Sequence, residues 1–146
     1  MNKELAEALK VALADTFAFY LKAHNFHWNV TGPDFAQYHS FLGDLWEEVF
    51  TGVDLIAEGI RTLDAFAPGS FTRYKELSTI EDELKIPAAL DMLKKLSSDN
   101  EKVIASLKRA YELCEKHKHY GISNILQDRI TAHEKHGWML RSFRKA

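Results

Sequence analysis

Three of the chain's seven histidines, His24, His27 and His39, fall within the segment HNFHWNVTGPDFAQYH. Further on, Asp54 and Glu58 stand four residues apart, a helical spacing that puts both carboxylates on one face, about 6 Å apart. Imidazole nitrogens with carboxylate oxygens make a donor set for a borderline divalent cation such as Fe²⁺, Zn²⁺ or Mn²⁺. His39 and Asp54 are fifteen residues apart on one predicted helix, which is about 22 Å of rise. No pair of side chains spans that distance, so one chain cannot bring both ends to the same ion. Two copies can. If two such helices pack antiparallel about a two-fold axis, His39 of one copy meets Asp54 and Glu58 of its mate, and the contact occurs twice. His27, across a tight turn from His39, joins the same site.

The elements that must hold these residues are helices. From Asn2 to Asn29 the residues Leu5, Leu9, Leu13, Thr16, Tyr20, His24 and His27 recur at helical spacing, so both histidines are expected to continue the inward stripe. Gly32 and Pro33 stop this helix, and Asp34 is positioned to cap the next. The second helix, Phe35 to about Asp64, carries a main stripe of Tyr38, Leu42, Leu45, Val49, Ile56, Ile60 and Leu63, with Gly52 in the gap. A second stripe contains Phe35, His39, Trp46, Phe50, Val53 and Asp54. A bundle helix needs one apolar face, so a second one bearing Trp and Phe implies an oligomer interface. Residues 65–85 form a long connection in which SFTRYKEL is expected to make a short helix. A third long helix runs from near Pro87 to about Lys116, with Ala89, Leu93, Leu96, Asn100, Val103, Leu107, Ala110 and Cys114 inward. Gly121 breaks the chain, and a fourth spans roughly Ile122–Phe143, with Ile122, Leu126, Ile130, His133, Gly137 and Leu140 inward. No strand alternation competes. The class is all-α, one domain over residues 1–146: a four-helix bundle with a long crossover between the second and third long helices, the connection of ferritin-like bundles.

Composition narrows the function. With 146 residues, 46% hydrophobic, 27% charged and a formal charge of −2, the chain is ordinary for a globular domain and as a whole does not attract nucleic acid. Cys114 is the only cysteine, which excludes an intrachain disulfide and a cysteine-rich zinc site and fits a cytoplasmic location. The start, MNKELAEALK, lacks the apolar core of a signal peptide, and no apolar run is long enough to span a membrane. HEKHG at 133–137 lacks the second histidine of a zinc-protease helix. His133 reads as a hydrogen-bonded core residue, His117 and His119 as exposed residues near the turn, Cys114 as packing, and Trp28, Trp46 and Trp138 as core or interface.

HWNVTG, then His39, then DLIAEGIRTL, with DRITAHEKHGWMLRSF near the C-terminus, resembles the Dps family of miniferritins over nearly the whole chain. The specific part is the spacing from His27 to His39, Asp54 and Glu58: 12, 27 and 31 residues. The resemblance implies a hollow dodecamer with a ferroxidase centre at each dimer interface. His27 and His39 would come from one chain, Asp54 and Glu58 from its mate. Fe²⁺ would be oxidised there by H₂O₂ or O₂ and stored as ferric mineral, and Trp28 could supply an electron. Acidic residues near the start of the last helix line pores in the family; Asn124 and Asp128 occupy that region, and Asp128 is the candidate.

Three departures from the family pattern bear on function. Gly43 stands where the family usually has Asp; neighbouring Asp44 points 100° away, whereas Glu47, one turn on, projects within about 40° of that direction and is the candidate carboxylate for a second, weaker iron site. Gly59 stands where an Arg commonly follows the site Glu. The lysine-rich tail that lets some members bind DNA is missing, leaving Arg141, Arg144 and Lys145 as a short basic end, which argues against DNA binding. Two other readings stand beside iron oxidation: a nucleoid-binding or structural shell with degenerate metal sites, and a cage that holds Zn²⁺ or Mn²⁺ in the same site without turning over iron.

Overall fold

The structure, a computed structural model, describes residues 2–144. Five helices follow in order: α1 (Lys3–Asn29), α2 (Phe35–Arg61), α3 (Phe71–Leu77), α4 (Ala89–His117) and α5 (Tyr120–Ser142). No strand occurs among the described residues, in keeping with the expected all-α, ferritin-like bundle. α1 packs against α2 and α4, and α5 against α4 and α2, so α2 and α4 lie on a diagonal of the bundle. Contacts between α1 and α4 fix direction: Glu4 faces Arg109 and Lys116, Asp15 meets Ser106, and Lys22 pairs with Asp99. Numbers fall along α4 as they rise along α1, so these two helices are antiparallel. The short 30–34 turn makes α1 and α2 antiparallel as well. α2 and α4 therefore run the same way, and only a long crossover can join them.

That crossover is held by a buried carboxylate. Asp15, in the middle of α1, is fully buried. It accepts hydrogen bonds from the Ser78 hydroxyl (2.8 Å), the Thr79 N–H (2.7 Å), the Thr79 hydroxyl (2.9 Å) and the Ser106 hydroxyl of α4. Four donors on two oxygens make burial of the charge tolerable and tie the end of α3 to two long helices. α3 itself starts where the Ser70 hydroxyl accepts from the Arg73 N–H, the usual serine cap.

The core is built from Leu5, Leu9, Leu13, Phe19 and Phe26 of α1, Leu42, Leu45, Val49, Ile56 and Ile60 of α2, and matching rows from α4 and α5. The first helix departs from the expected stripe after Thr16. Phe19, Ala23, Phe26 and Val30 are buried, while Tyr20, His24 and His27 are half-buried on its flank. Apolar Phe19 and Phe26 outcompete the amphipathic rings for the interior, which turns both histidines toward α2. Other ends also differ. Asp34 has φ 64° and its side chain caps nothing; its backbone carbonyl accepts from Gln37 and Tyr38 instead. α2 stops at Arg61, three residues before the expected Asp64. The α4–α5 break is made by Lys118, at φ 59°, with Gly121 already inside α5. Left-handed Lys118 lets the His119 N–H close on the Cys114 carbonyl, which ends α4. His117 and His119 are half-buried there rather than exposed, His119 facing Asn2 at 2.8 Å. Cys114 is a packing residue: burial and then Glu115 push its thiol up to about 11.

Candidate metal centre

The end of α1 and the start of α2 lie side by side because only a short turn joins them. His27 and His39 meet there with their rings stacked, centroids 3.8 Å apart and planes 16° from parallel. Each ring is fixed by the other's backbone. His27 Nδ1 lies 2.7 Å from the His39 carbonyl oxygen, and His39 Nδ1 lies 2.8 Å from the His27 carbonyl oxygen. A carbonyl oxygen only accepts, so both Nδ1 atoms must carry the proton and donate. In the neutral rings both Nε2 atoms then keep a bare lone pair. Metal-binding histidines are commonly oriented in this way, with the second nitrogen donating to a carbonyl or carboxylate.

Gly43 of α2 is the surface on which His27 rests. A Cβ at that position would stand 3.0 Å from His27 Cε1 and 3.2 Å from Nδ1. Any side chain there presses on the ring that the two hydrogen bonds hold, which is a physical reason for glycine in this chain. On the other side of His27 lies an aromatic cluster. His24 is sandwiched between Trp46, 3.9 Å away and nearly parallel, and Trp28, 3.9 Å away and tilted by 34°. Trp28 remains 59% exposed. Burial first, and the neighbouring His27 second, hold the His24 imidazole below its ordinary range, while Glu47 opposes them. Glu47 thus acts on this end of the molecule, from an exposed position one turn beyond Gly43.

Asp54 and Glu58 are exposed near the far end of α2. Neither has a hydrogen-bond or ion-pair partner among the described residues. Arg61, one turn from Glu58, is drawn away by the Ala65 carbonyl (2.8 Å) and the face of Phe66 (4.7 Å). Two unpaired carboxylates thus stand together at one end of α2, and two imidazoles with free Nε2 atoms at the other. Among the described residues of a single chain, no three His, Cys, Asp or Glu side chains converge as a metal site. Phe35, Phe50 and Leu55 of α2 are also exposed, Phe35 and Phe50 on the side of the helix that bears His39 and Asp54.

A second polar cluster escaped the sequence reading. Inside the bundle, Arg129 of α5 donates to both oxygens of Glu48 (2.6 and 3.0 Å), and His136 lies 2.6 Å from the same carboxylate. His133, fully buried as expected, pairs its Nδ1 with the Asn100 side-chain oxygen at 2.8 Å, and the Asn100 amide donates to the His133 carbonyl. Burial alone would raise the Glu48 carboxyl, but the hydrogen bonds from His136 and Arg129 overcome it and hold it far below the usual carboxylate range. Burial, with Arg129 and His136 behind it, holds His133 well below its ordinary value. Gly52 makes room for the guanidinium: a Cβ there would stand 2.5 Å from Arg129 Nε. The signal was legible, since Arg129, His133 and His136 recur on one face of α5 opposite a helical glycine. Of the neighbouring carboxylates, Glu47 is exposed and Glu48 is the one turned inward. Asp128 is exposed, and Arg129 pairs with Glu48, not with it.

Comparison with known proteins agrees with this architecture. Residues 6–145 match the family model described as a ferritin-like domain. The chain is 34% identical to DNA protection during starvation protein 2 of Bacillus anthracis, over 98% of each chain. Its structure is similar to that of the Dps protein of Vibrio cholerae O1, described as a member of a broad superfamily of ferritin-like diiron-carboxylate proteins. That similarity has a TM-score of 0.94 at 26% identity and covers 99% of this chain and 91% of the other. Antigen TpF1 of Treponema pallidum superposes with a TM-score of 0.93 at 29% identity, covering 97% and 92%.

Proposed function

The chain belongs to the ferritin-like domain family, in its Dps branch, and from that premise we propose that it oxidises Fe²⁺ at sites shared between two copies and stores the ferric product. His27 and His39 of one copy and Asp54 and Glu58 of its mate are the ligands. The observation that carries this reading is the pair of reciprocal bonds from each Nδ1 to the other histidine's carbonyl. They leave two Nε2 lone pairs side by side and spend nothing else. The four-ligand set is complete only when a second chain brings its carboxylates across. Exposed Phe35 and Phe50, on the same side of α2 as His39 and Asp54, support a two-fold contact through α2. A twelve-chain assembly built from such dimers, in the cytoplasm, is the one we infer, with Asp128 at the cation entrance. Among the described residues no helix is long and apolar enough to cross a membrane.

The chemistry is a matched count of electrons. Each Fe²⁺ gives one electron and a peroxide accepts two, so coupling two ferrous ions to one peroxide yields two hydroxides and releases no hydroxyl radical. Glu47 offers a carboxylate for a second, weaker ion, since Gly43 offers none. Trp28, stacked on His24 beside His27, is a source of a missing electron. Stopped-flow oxidation of Fe²⁺ with H₂O₂ or O₂ tests the assignment. Wild-type protein is expected to oxidise iron rapidly, with His39→Ala and Asp54→Ala both slow; equal rates in all three refute it.

The donor set also accepts Zn²⁺ or Mn²⁺. Metal analysis of protein purified without added metal separates a zinc or manganese cage from an iron-oxidising one. The name of the Bacillus anthracis relative raises DNA protection as another reading. The short basic end bears on it: Arg141 and Arg144 are exposed, and Lys145 lies outside the described residues. DNA retardation that weakens steeply with salt would favour that reading; none is expected.

A further inference from the structure

The two bonds that hold the histidine pair are reciprocal in form, but they land on different kinds of carbonyl. The His27 carbonyl, which receives His39 Nδ1 at 2.8 Å, lies within the last turn of α1. Its helical partner would be the Thr31 N–H, beyond the end of the helix, so it is an orphan acceptor open to a side chain. The His39 carbonyl, which receives His27 Nδ1 at 2.7 Å, lies inside α2. In a helix that carbonyl also accepts the N–H of residue 43. To reach it, the His27 ring must come up against the barrel of α2, where side chains normally stand in the way.

Gly43 removes the obstacle. A helical side chain leans toward the N-terminus and covers the turn before its own Cα. From position 43 that is the turn bearing the His39 carbonyl. Phe35, His39 and Gly43 also recur at four-residue steps, so side chains at these positions share one face. Phe35 stacks on His39 with centroids 5.0 Å apart, and His39 stacks on His27 at 3.8 Å. The His27 ring thus takes the next place in the row, the one a side chain of residue 43 would fill. A Cβ there would stand 3.0 Å from His27 Cε1, 3.2 Å from Nδ1 and 3.9 Å from Nε2. Yielding toward His39 is blocked, because Phe35 backs that ring. Yielding outward lengthens the bond to the helix carbonyl.

We propose that Gly43 is a positioning residue of the metal centre: it gives His27 the space to donate to the His39 carbonyl, and so fixes where its Nε2 points. The proposal rests on the reading of His27 as a ligand. Glycine at 43 is then more than a missing carboxylate. It weakens α2 as any mid-helix glycine does, and what it provides is the pose of an imidazole brought in from α1. The bond from His39 falls on an orphan carbonyl and needs no such space, so the effect belongs to His27 alone.

Co²⁺ is the probe, because its visible absorption reports both occupancy and the geometry of its donors. It is titrated into the metal-free assembled protein. Gly43→Ala should bind Co²⁺ roughly 10–100-fold more weakly than wild type, the range for partners that orient a metal ligand, and with an altered spectrum. In a His27→Ala background the same substitution should change neither affinity nor spectrum, since residues in contact that act as one unit are not additive. Melting temperature provides a second readout. Alanine is the better helix former, so Gly43→Ala should raise it in the His27→Ala background, where no ring is in the way, and raise it less or lower it beside His27. A Gly43→Ala protein with wild-type Co²⁺ affinity and spectrum overturns the proposal. So does an equal loss of affinity with and without His27, which would make Gly43 a packing residue of α2. Wild-type Co²⁺ binding that does not depend on His27 refutes the ligand assignment itself, and this proposal with it.

Discussion

The α1–α2 junction and the bundle interior contain the same kinds of side chain and use them in opposite ways. Inside, His133, His136, Glu48 and Arg129 satisfy one another: His136 and Arg129 both bind Glu48, and His133 is committed to Asn100. The guanidinium occupies the place a cation would take between carboxylate and imidazole, so this cluster is a structural joint between α2 and α5. At the junction, His27 and His39 use only Nδ1, and they use it on backbone carbonyls. Among the described residues Asp54 and Glu58 are left without partners. Histidine and carboxylate in proximity do not make a metal centre. What matters is which lone pairs remain after the fold has taken its share.

Substitutions can break that contrast. The largest effects belong to the junction. Removing a proposed ligand imidazole, as in His39→Ala, should cost at least about a hundredfold in iron oxidation, since even outer-shell partners of metal ligands cost 10–100-fold. Melting temperature should hardly change. Unchanged kinetics would make the junction as inert as the interior. The interior should respond in the reverse sense. Glu48→Gln leaves Arg129, whose side chain is 5% exposed, without its counter-charge. Breaking a fully buried pair costs roughly 3–5 kcal/mol; the 37% exposure of Glu48 reduces the expectation to about 2 kcal/mol. Denaturant unfolding reads this directly, and iron oxidation per assembled site should persist.

Two helical glycines sharpen the comparison. Gly52→Ala drives a Cβ into the guanidinium and should destabilise by about 1–2 kcal/mol. At Gly59 nothing lies within 4 Å of an added Cβ, so Gly59→Ala should stabilise by nearly 1 kcal/mol through helix propensity. Equal signs in the two unfolding curves would contradict the packing described for α2. The shallowest effect is that of pH. His133 is held below its ordinary 6.5 by burial, Arg129 and His136, against Glu48. As pH falls through 6.5 the unfolded chain takes up a proton there and the folded chain does not, so stability declines toward acid. Glu48 is held low when folded, and its contribution fades only below the ordinary carboxylate value of 4.5. A melting temperature falling between pH 7 and 5, with a smaller slope in His133→Gln, is the expected record.

Much of this was legible in the sequence, and the failures follow a rule. The helices and the crossover were set by apolar spacing and a few Gly and Pro residues, signals that act locally. The separation of His39 from Asp54 needed only the helix rise. Tyr20, His24 and His27 were misplaced because aromatic and imidazole rings suit both interior and flank, and only the competing Phe19 and Phe26 decided between them. The reciprocal bonds of His27 and His39 run to backbone carbonyls across a turn, a contact with no sequence pattern. Asp15 was signalled by a lone acid in the run VALADTF, but its donors, Ser78, Thr79 and Ser106, lie more than sixty residues away.

The sharing of each site between two chains is tested most directly by complementation. One variant carries His27→Ala and His39→Ala, the other Asp54→Ala and Glu58→Ala, and each alone should be inactive in iron oxidation. Dissociated and reassembled together in equal amounts, they form mixed dimers in which one of the two sites has all four ligands. Random pairing then predicts roughly a quarter of wild-type activity. No recovery in mixed dimers shown to have formed, or full activity in either parent, would contradict the shared site.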